Sequence, residues 1–248
     1  MAEPARNISK LQPLNARDAA EPAQKSVARE YGEAMIIALV LAIFIRTFFI
    51  QAYKIPSGSM EPTLLIGDHI LVNKIVYGLR MPDSIFGLQI PGLPLGKYVF
   101  HLEPVHRGDV VVFVFPPDPT KDFIKRVIGV AGDTIAVKNG VVWLNGSPMD
   151  DPHAHREVAD SDRSAVSPRD NFGPTIVPPG KLFMMGDNRD RSYDSRFWGF
   201  VDLNDVEGRA MIIYLPWNEE KADSASIVSD ILLFPEYIRW DRLGMIVH

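Results

Sequence analysis

The chain has 248 residues, 46% of them hydrophobic and 23% charged, enough apolar material for one large or two small globular units and too much for wholesale disorder. A formal charge of −5 excludes the basic surface that neutralises nucleic-acid phosphates, so no nucleic-acid partner is expected. With no cysteine, disulfides, thiolate metal sites and cysteine nucleophiles are excluded as well.

Residues 1–33 are polar, carry five Lys/Arg and five Asp/Glu together with Pro4, Pro13 and Pro22, and lack apolar periodicity, which reads as a flexible tail. Residues 34–52, AMIIALVLAIFIRTFFIQA, are nearly all apolar. As a helix this stretch covers about 28 Å, close to the ~30 Å hydrocarbon core of a lipid bilayer, so it is a predicted transmembrane helix. Arg46 lies past its midpoint and can snorkel outward. A cleaved export signal fits less well, because the polar lead is long and no Ala-x-Ala site follows. Lys25 and Arg29 precede the span and only Lys54 closely follows it, which predicts a cytoplasmic amino terminus and an outer domain over residues 53–248.

The outer part reads as mainly β. Gly67-Asp68, Gly108-Asp109 and Gly132-Asp133 each precede a run rich in β-branched residues: HILV, VVVFVF and TIAV. Asn139-Gly140 between IAVK and VVWL is the strongest hairpin signal. No helical pattern alternates with these strands, so antiparallel sheets are predicted rather than a parallel α/β fold. Two inserts interrupt the pattern. Residues 78–106 carry Ile85, Phe86, Leu88, Ile90, Leu93 and Leu95 among glycines and prolines, and either pack under a hairpin or dip into the bilayer surface. Residues 149–174, rich in Asp, Ser, Pro and His, read as a flexible insert, and His153-x-His155 there reads as a solvated loop. No metal and no cofactor is assigned.

Directly after the span, Pro56 and Pro62 bracket Ser57-Gly58-Ser59-Met60-Glu61, a turn able to present a hydroxyl and backbone N–H groups together. Alone, such a turn is weak evidence of chemistry. Four blocks in order, PSGSMEPTL (56–64), RGDVVVF (107–113), DFIKRVIGVAGD (122–133) and GDNRDRSYDSRFWGFV (186–201), make the chain similar to the bacterial type I signal peptidases. The endings GRAMIIY and IRWDRLG resemble the same family.

The resemblance implies a membrane-bound serine endopeptidase acting on signal-peptide-bearing preproteins at the bacterial inner membrane, with Ser59 as nucleophile and Lys125 as general base. It puts oxyanion donors at the Ser59 N–H and the Ser57 hydroxyl, and a lysine-orienting hydroxyl at Ser192. Asp187, Asn188 and Arg189 correspond to a structural turn, and Asp194 and Arg196 to a supporting ion pair. Ile55, Pro56, Met60, Leu64, Phe123 and Ile124 match positions lining shallow pockets for Ala-x-Ala sites. The family segment often has a small residue where Tyr193 stands. A free lysine is neutral in only about one molecule in a few thousand at pH 7, so the chemistry needs burial of the amine. Along a strand Phe123, Lys125 and Val127 share one face and Ile124, Arg126 and Ile128 the other, so each face holds one cation and alternation does not say which points inward. The same chemistry occurs in self-cleaving repressors, but those carry a DNA-binding helical domain where this chain has an apolar span. A non-catalytic, membrane-tethered β-domain is the reading from a different class.

Overall fold

The protein is described by a computed structural model over residues 27–82, 94–157, 167–219 and 234–248. The chain divides after Ala42 into two compact units. Helix α1 runs Val27–Phe48, apolar and long enough at about 1.5 Å per residue to cross a bilayer, and none of its side chains is buried. It starts inside the segment read as tail, where Arg29 and Glu33 pair across one turn at 2.9 Å. It also stops before Ala52, because the alternating stretch Ile50–Lys54 is strand β1, paired antiparallel with Asn73–His69. Residues 1–26 lie outside the described residues.

In the second unit the predicted strands form where the Gly-Asp turns precede them. β2 spans Asp68–Asn73, β5 Val110–Val114 and β7 Thr134–Lys138. Each turn is closed the same way: the carboxylates of Asp68, Asp109 and Asp133 accept the N–H groups of Leu65, His106 and Val130, each at 2.9 Å. The aspartate thus ties down the bend three residues upstream of it. At the hairpin between β7 and β8 (Val141–Leu144), Asn139 and Gly140 have φ of 48° and 78°, the paired positive dihedrals of a tight turn that matches strand twist.

The remaining strands are β3 (Gly78–Arg80), β4 (Tyr98–His101), β6 (Asp122–Gly129), β9 (Ser147–Pro148), β10 (Phe172–Ile176), β11 (Lys181–Met185), β12 (Val201–Asp202) and β13 (Val206–Pro216). A seven-stranded antiparallel sheet is ordered β1-β2-β13-β5-β6-β11-β12, and a four-stranded one β10-β7-β8-β9. The first insert forms the two-stranded ribbon β3-β4 at its ends, while its apolar residues from Ile85 to Leu93 lie outside the described residues. In the central strand β5, Val110 and Val112 enter one buried cluster and Val111 and Phe113 another. Burial on both faces explains why that strand reads as an unbroken apolar run. β6, next to it in register, inherits the same two-sided burial.

Candidate active site

Ser59 sits in a short 3-10 turn, Gly58–Met60, preceded by Ser57 in extended conformation. The turn is anchored from below: Met60 and Leu64 are fully buried in the cluster with Ile70, Val110 and Val112, and Leu64 N donates to Met60 O at 2.9 Å. Both residues thus support the Ser59 turn from the core, and neither is among the residues that line the cleft at Ser59.

Lys125, on β6 opposite Val111, is only 4% exposed. Its Nζ donates to Ser59 Oγ at 2.7 Å and to the Ile124 carbonyl at 2.8 Å. The Phe123 ring, stacked on Phe115 at 4.0 Å, stands 5.4 Å from the amine. Burial pushes the lysine pKa down to about 8, against the upward pull of the Asp194 and Asp187 carboxylates. At that value about one molecule in ten is neutral at pH 7, a gain of several hundredfold over a free lysine.

Both cations of β6 are buried, and their partners tell them apart. Arg126 is held by Asp187 through two bonds of 2.7 Å and by the Gly108 carbonyl at 2.7 Å, so its charge is fully compensated. Lys125 meets a hydroxyl and a carbonyl, and no carboxylate lies within ion-pair distance among the described residues. A buried amine without a counter-ion holds its proton less tightly than a free one; a guanidinium with a carboxylate partner keeps it.

The loop after β11 backs the Ser59 turn. Asn188 N donates to the Ser59 carbonyl at 3.2 Å, and Gly186 packs so closely that a Cβ on it would lie 2.3 Å from that carbonyl oxygen. Ser192 is fully buried beside Gly186, and its hydroxyl accepts Gly186 N–H at 3.1 Å. The Lys125 amine is held by the Ile124 carbonyl rather than by this hydroxyl. Asp194 caps the helix α2 (Ser195–Trp198), accepts Gly186 N–H at 3.2 Å, and forms a bidentate pair with Arg196, both bonds 2.8 Å. Arg196 also reaches the Arg189 carbonyl at 2.7 Å. Thr63 Oγ1 donates to Asp187 at 2.5 Å, tying the serine turn to the same carboxylate that holds Arg126. Tyr193 is more than half exposed, with its ring edge-on to Phe115, so its bulk crowds nothing in the loop.

The described ends of the second insert are not free. Asp151 pairs with the buried Arg189, and the His155 backbone bridges the loop through Asp187 O at 2.7 Å and Arg189 N at 2.8 Å. The polar composition that reads as flexibility supplies these partners; residues 158–166 lie outside the described residues. Among the described residues no group of three or more His, Cys, Asp or Glu gathers as a metal site.

A cleft of about 120 Å³ opens at Ser59, lined by Ile55, Pro56, Phe123 and Ile124, and also by Tyr53, Ile70 and Val112. Tyr53 donates a short hydrogen bond to the buried Glu207, which lies near Arg80, so the cleft wall is braced from the first insert. Arg126, Thr63, Gly186, Tyr53 and Glu207 escaped sequence reasoning. Only Arg126 left a signal, since a cation in an apolar strand requires a buried acid.

A serine hydroxyl bonded to a buried, charge-poor lysine on an antiparallel β scaffold defines a candidate Ser/Lys hydrolase. Comparison with known proteins narrows this. The profile of the signal peptidase, peptidase S26 family matches residues 28–217. The chain is 38% identical over 193 residues to a probable signal peptidase I-2 of Synechocystis sp., covering 75% of this chain and 73% of that protein. It is 33% identical over 224 residues to a signal peptidase I of Pseudomonas aeruginosa, covering 77% and 74%, and 35% identical over 231 residues to one of Aquifex aeolicus, covering 73% and 81%. The chain belongs to the signal peptidase family and is a serine endopeptidase.

Proposed function

We propose that this protein removes signal peptides from exported preproteins by a Ser59/Lys125 acyl-enzyme mechanism, cutting after Ala-x-Ala-type sites. The observation that carries the reading is the 2.7 Å contact between Ser59 Oγ and a buried lysine amine that has no ion-pair partner among the described residues. Neutral Lys125 takes the hydroxyl proton as Ser59 Oγ attacks the scissile carbonyl carbon. The tetrahedral oxyanion collapses, the C–N bond breaks, and Lys125 returns the proton to the departing amine. Lys125 then deprotonates a water that attacks the ester carbonyl, the C–Oγ bond breaks, and Lys125 returns that proton to Ser59 Oγ.

The oxyanion is assigned to Ser59 N–H and the Ser57 hydroxyl, which makes no capping bond in the turn and borders the cleft. Ser192 is assigned to positioning, holding Gly186 against Ser59, and the Ile124 carbonyl to aiming the amine. The narrow apolar cleft suits small side chains, which favours Ala on the acyl side by exclusion of larger ones. Helix α1 serves as the anchor in the bacterial inner membrane, with the amino terminus cytoplasmic and the catalytic unit outside, consistent with Lys25 and Arg29 before it. Anchoring confines enzyme and membrane-inserted substrate to one surface and raises their effective concentration.

The test is cleavage of a precursor carrying an Ala-x-Ala signal peptide by detergent-solubilised protein. Wild type cleaves, and Ser59→Ala and Lys125→Ala do not. Cleavage that survives either change overturns the mechanism, and a folded but inactive wild type returns the protein to a non-catalytic tether.

A further inference from the structure

A second cleft, about 530 Å³, meets the first at Ser59 and Lys125 and is walled by Glu61, Ile66, Arg191 and Tyr193. A peptide threaded past Ser59 with its acyl side in the apolar cleft must lay the segment after the scissile bond in this one. That placement rests on the function proposed above.

The two clefts differ in charge. Glu61 is half-buried and its carboxylate folds over the nucleophile turn: a Cβ on Gly58 would lie 2.9 Å from both carboxylate oxygens. Glycine at that position is what lets the acid approach. Among the described residues, no hydrogen bond or ion pair holds the Glu61 carboxylate. Arg191, the cation across the cleft, is engaged by Glu157 at 2.8 Å, and Lys125 is uncharged when it acts as base. With Lys125 neutral, as the reaction requires, the groups facing the second cleft sum to one uncompensated negative charge beside the leaving side of the reaction.

We infer that Glu61 is a specificity-determining residue for the segment downstream of the scissile bond, favouring basic over acidic side chains in its first few positions. An extended chain advances about 3.3 Å per residue, so a carboxylate one turn from the nucleophile reaches only those positions. The site is open to solvent on one side, and the effect has the size of an exposed ion pair added to an exposed repulsion: about three- to tenfold in kcat/KM between Lys and Glu.

The experiment uses full-length protein in detergent and precursors identical except for Lys, Gln or Glu at the first, second or third residue after the cut. At one or more of these positions wild type prefers Lys to Glu, Glu61→Gln loses the preference, and Arg191→Gln widens it. Raising salt shrinks the wild-type preference, because the pair is screened within about 10 Å at 0.1 M. Equal cleavage of Lys and Glu precursors by wild type, an unchanged ratio in Glu61→Gln, or a salt-independent preference each overturns the inference. The ratio within one variant is insensitive to a general loss of activity, so a merely structural role for Glu61 would leave it in place. If the Gln precursor is not cleaved by wild type, or is cleaved by Ser59→Ala, the peptidase reading fails and takes this inference with it; cleavage without charge preference sinks the inference alone.

Discussion

Replacing Lys125 with methionine should make the protein inactive and, near pH 6, more stable. The pKa of the amine falls from 10.5 to about 8 on folding, so the buried ammonium is disfavoured by on the order of 3 kcal/mol. Because folding lowers the pKa, the unfolded chain binds more protons between roughly pH 8 and 10.5, and wild-type stability rises with pH across that window. Below it the full cost is present; above it the amine is neutral in both states and the cost is gone. Lys125→Met removes this cost and loses the hydrogen bonds to Ser59 and Ile124, worth about 1 kcal/mol each. The variant is then about 1 kcal/mol more stable than wild type at pH 6 and about 2 kcal/mol less stable above pH 10.5. Thermal unfolding of the detergent-solubilised proteins, followed by tryptophan fluorescence, reads this as a Tm difference of about 2–4 °C per kcal/mol that changes sign with pH. A stability difference that stays constant from pH 6 to 10.5 would refute the claim that burial depresses this amine. In the wild type, kcat/KM should climb about tenfold per pH unit below about pH 8 and level off above it, as neutral Lys125 becomes the major form.

Two further substitutions probe the frame around the pair. Gly186→Ala drives a methyl to within 2.3 Å of the Ser59 carbonyl oxygen and 2.4 Å of Ser192 Oγ. A backbone carbonyl cannot rotate away, so the nucleophile turn must shift, and a displacement of about 1 Å costs about a hundredfold in kcat; a variant within about threefold of wild type would show that the close packing does not position Ser59. Arg126→Met strands the fully buried Asp187 without its bidentate partner, which should cost about 3–5 kcal/mol, with Asp187→Asn added in the same chain restoring part of it. A loss below about 1 kcal/mol in the single variant would mean that Asp187 is compensated elsewhere.

What could be read from the sequence and what could not divides along the range of the interactions. The Gly-Asp turns, the Asn139-Gly140 hairpin and the strands after them are set by local dihedral preferences and period-two patterning, and they form where the residues predict. The apolar run continues past the end of α1 through Phe49 and Ile50, so composition does not mark where the helix stops; what makes Ile50–Lys54 a strand is pairing with β2, which lies some twenty residues on. Likewise, Asp151 and His155 look solvated in a polar insert, and their docking on Arg189 and Asp187 depends on a loop more than thirty residues away.

The same limit explains the active site. Alternation puts Lys125 and Arg126 on opposite faces of β6, and no local rule says which could serve as the base of the proposed mechanism. Their protonation is decided by non-local partners: a strand interior on both faces buries both cations, so the arginine must find an acid, while the lysine without one has its pKa lowered. The loop after β11 offers Asp187 to Arg126 and turns Asp194 toward Arg196, leaving Lys125 with a hydroxyl and a carbonyl. A single carboxylate delivered to the Lys125 face would therefore hold the amine protonated and remove the base without touching Ser59. Under the proposed mechanism, the Asp187–Arg126 and Asp194–Arg196 pairs would serve the lysine by occupying the acids nearest it, as much as by holding the loop in shape.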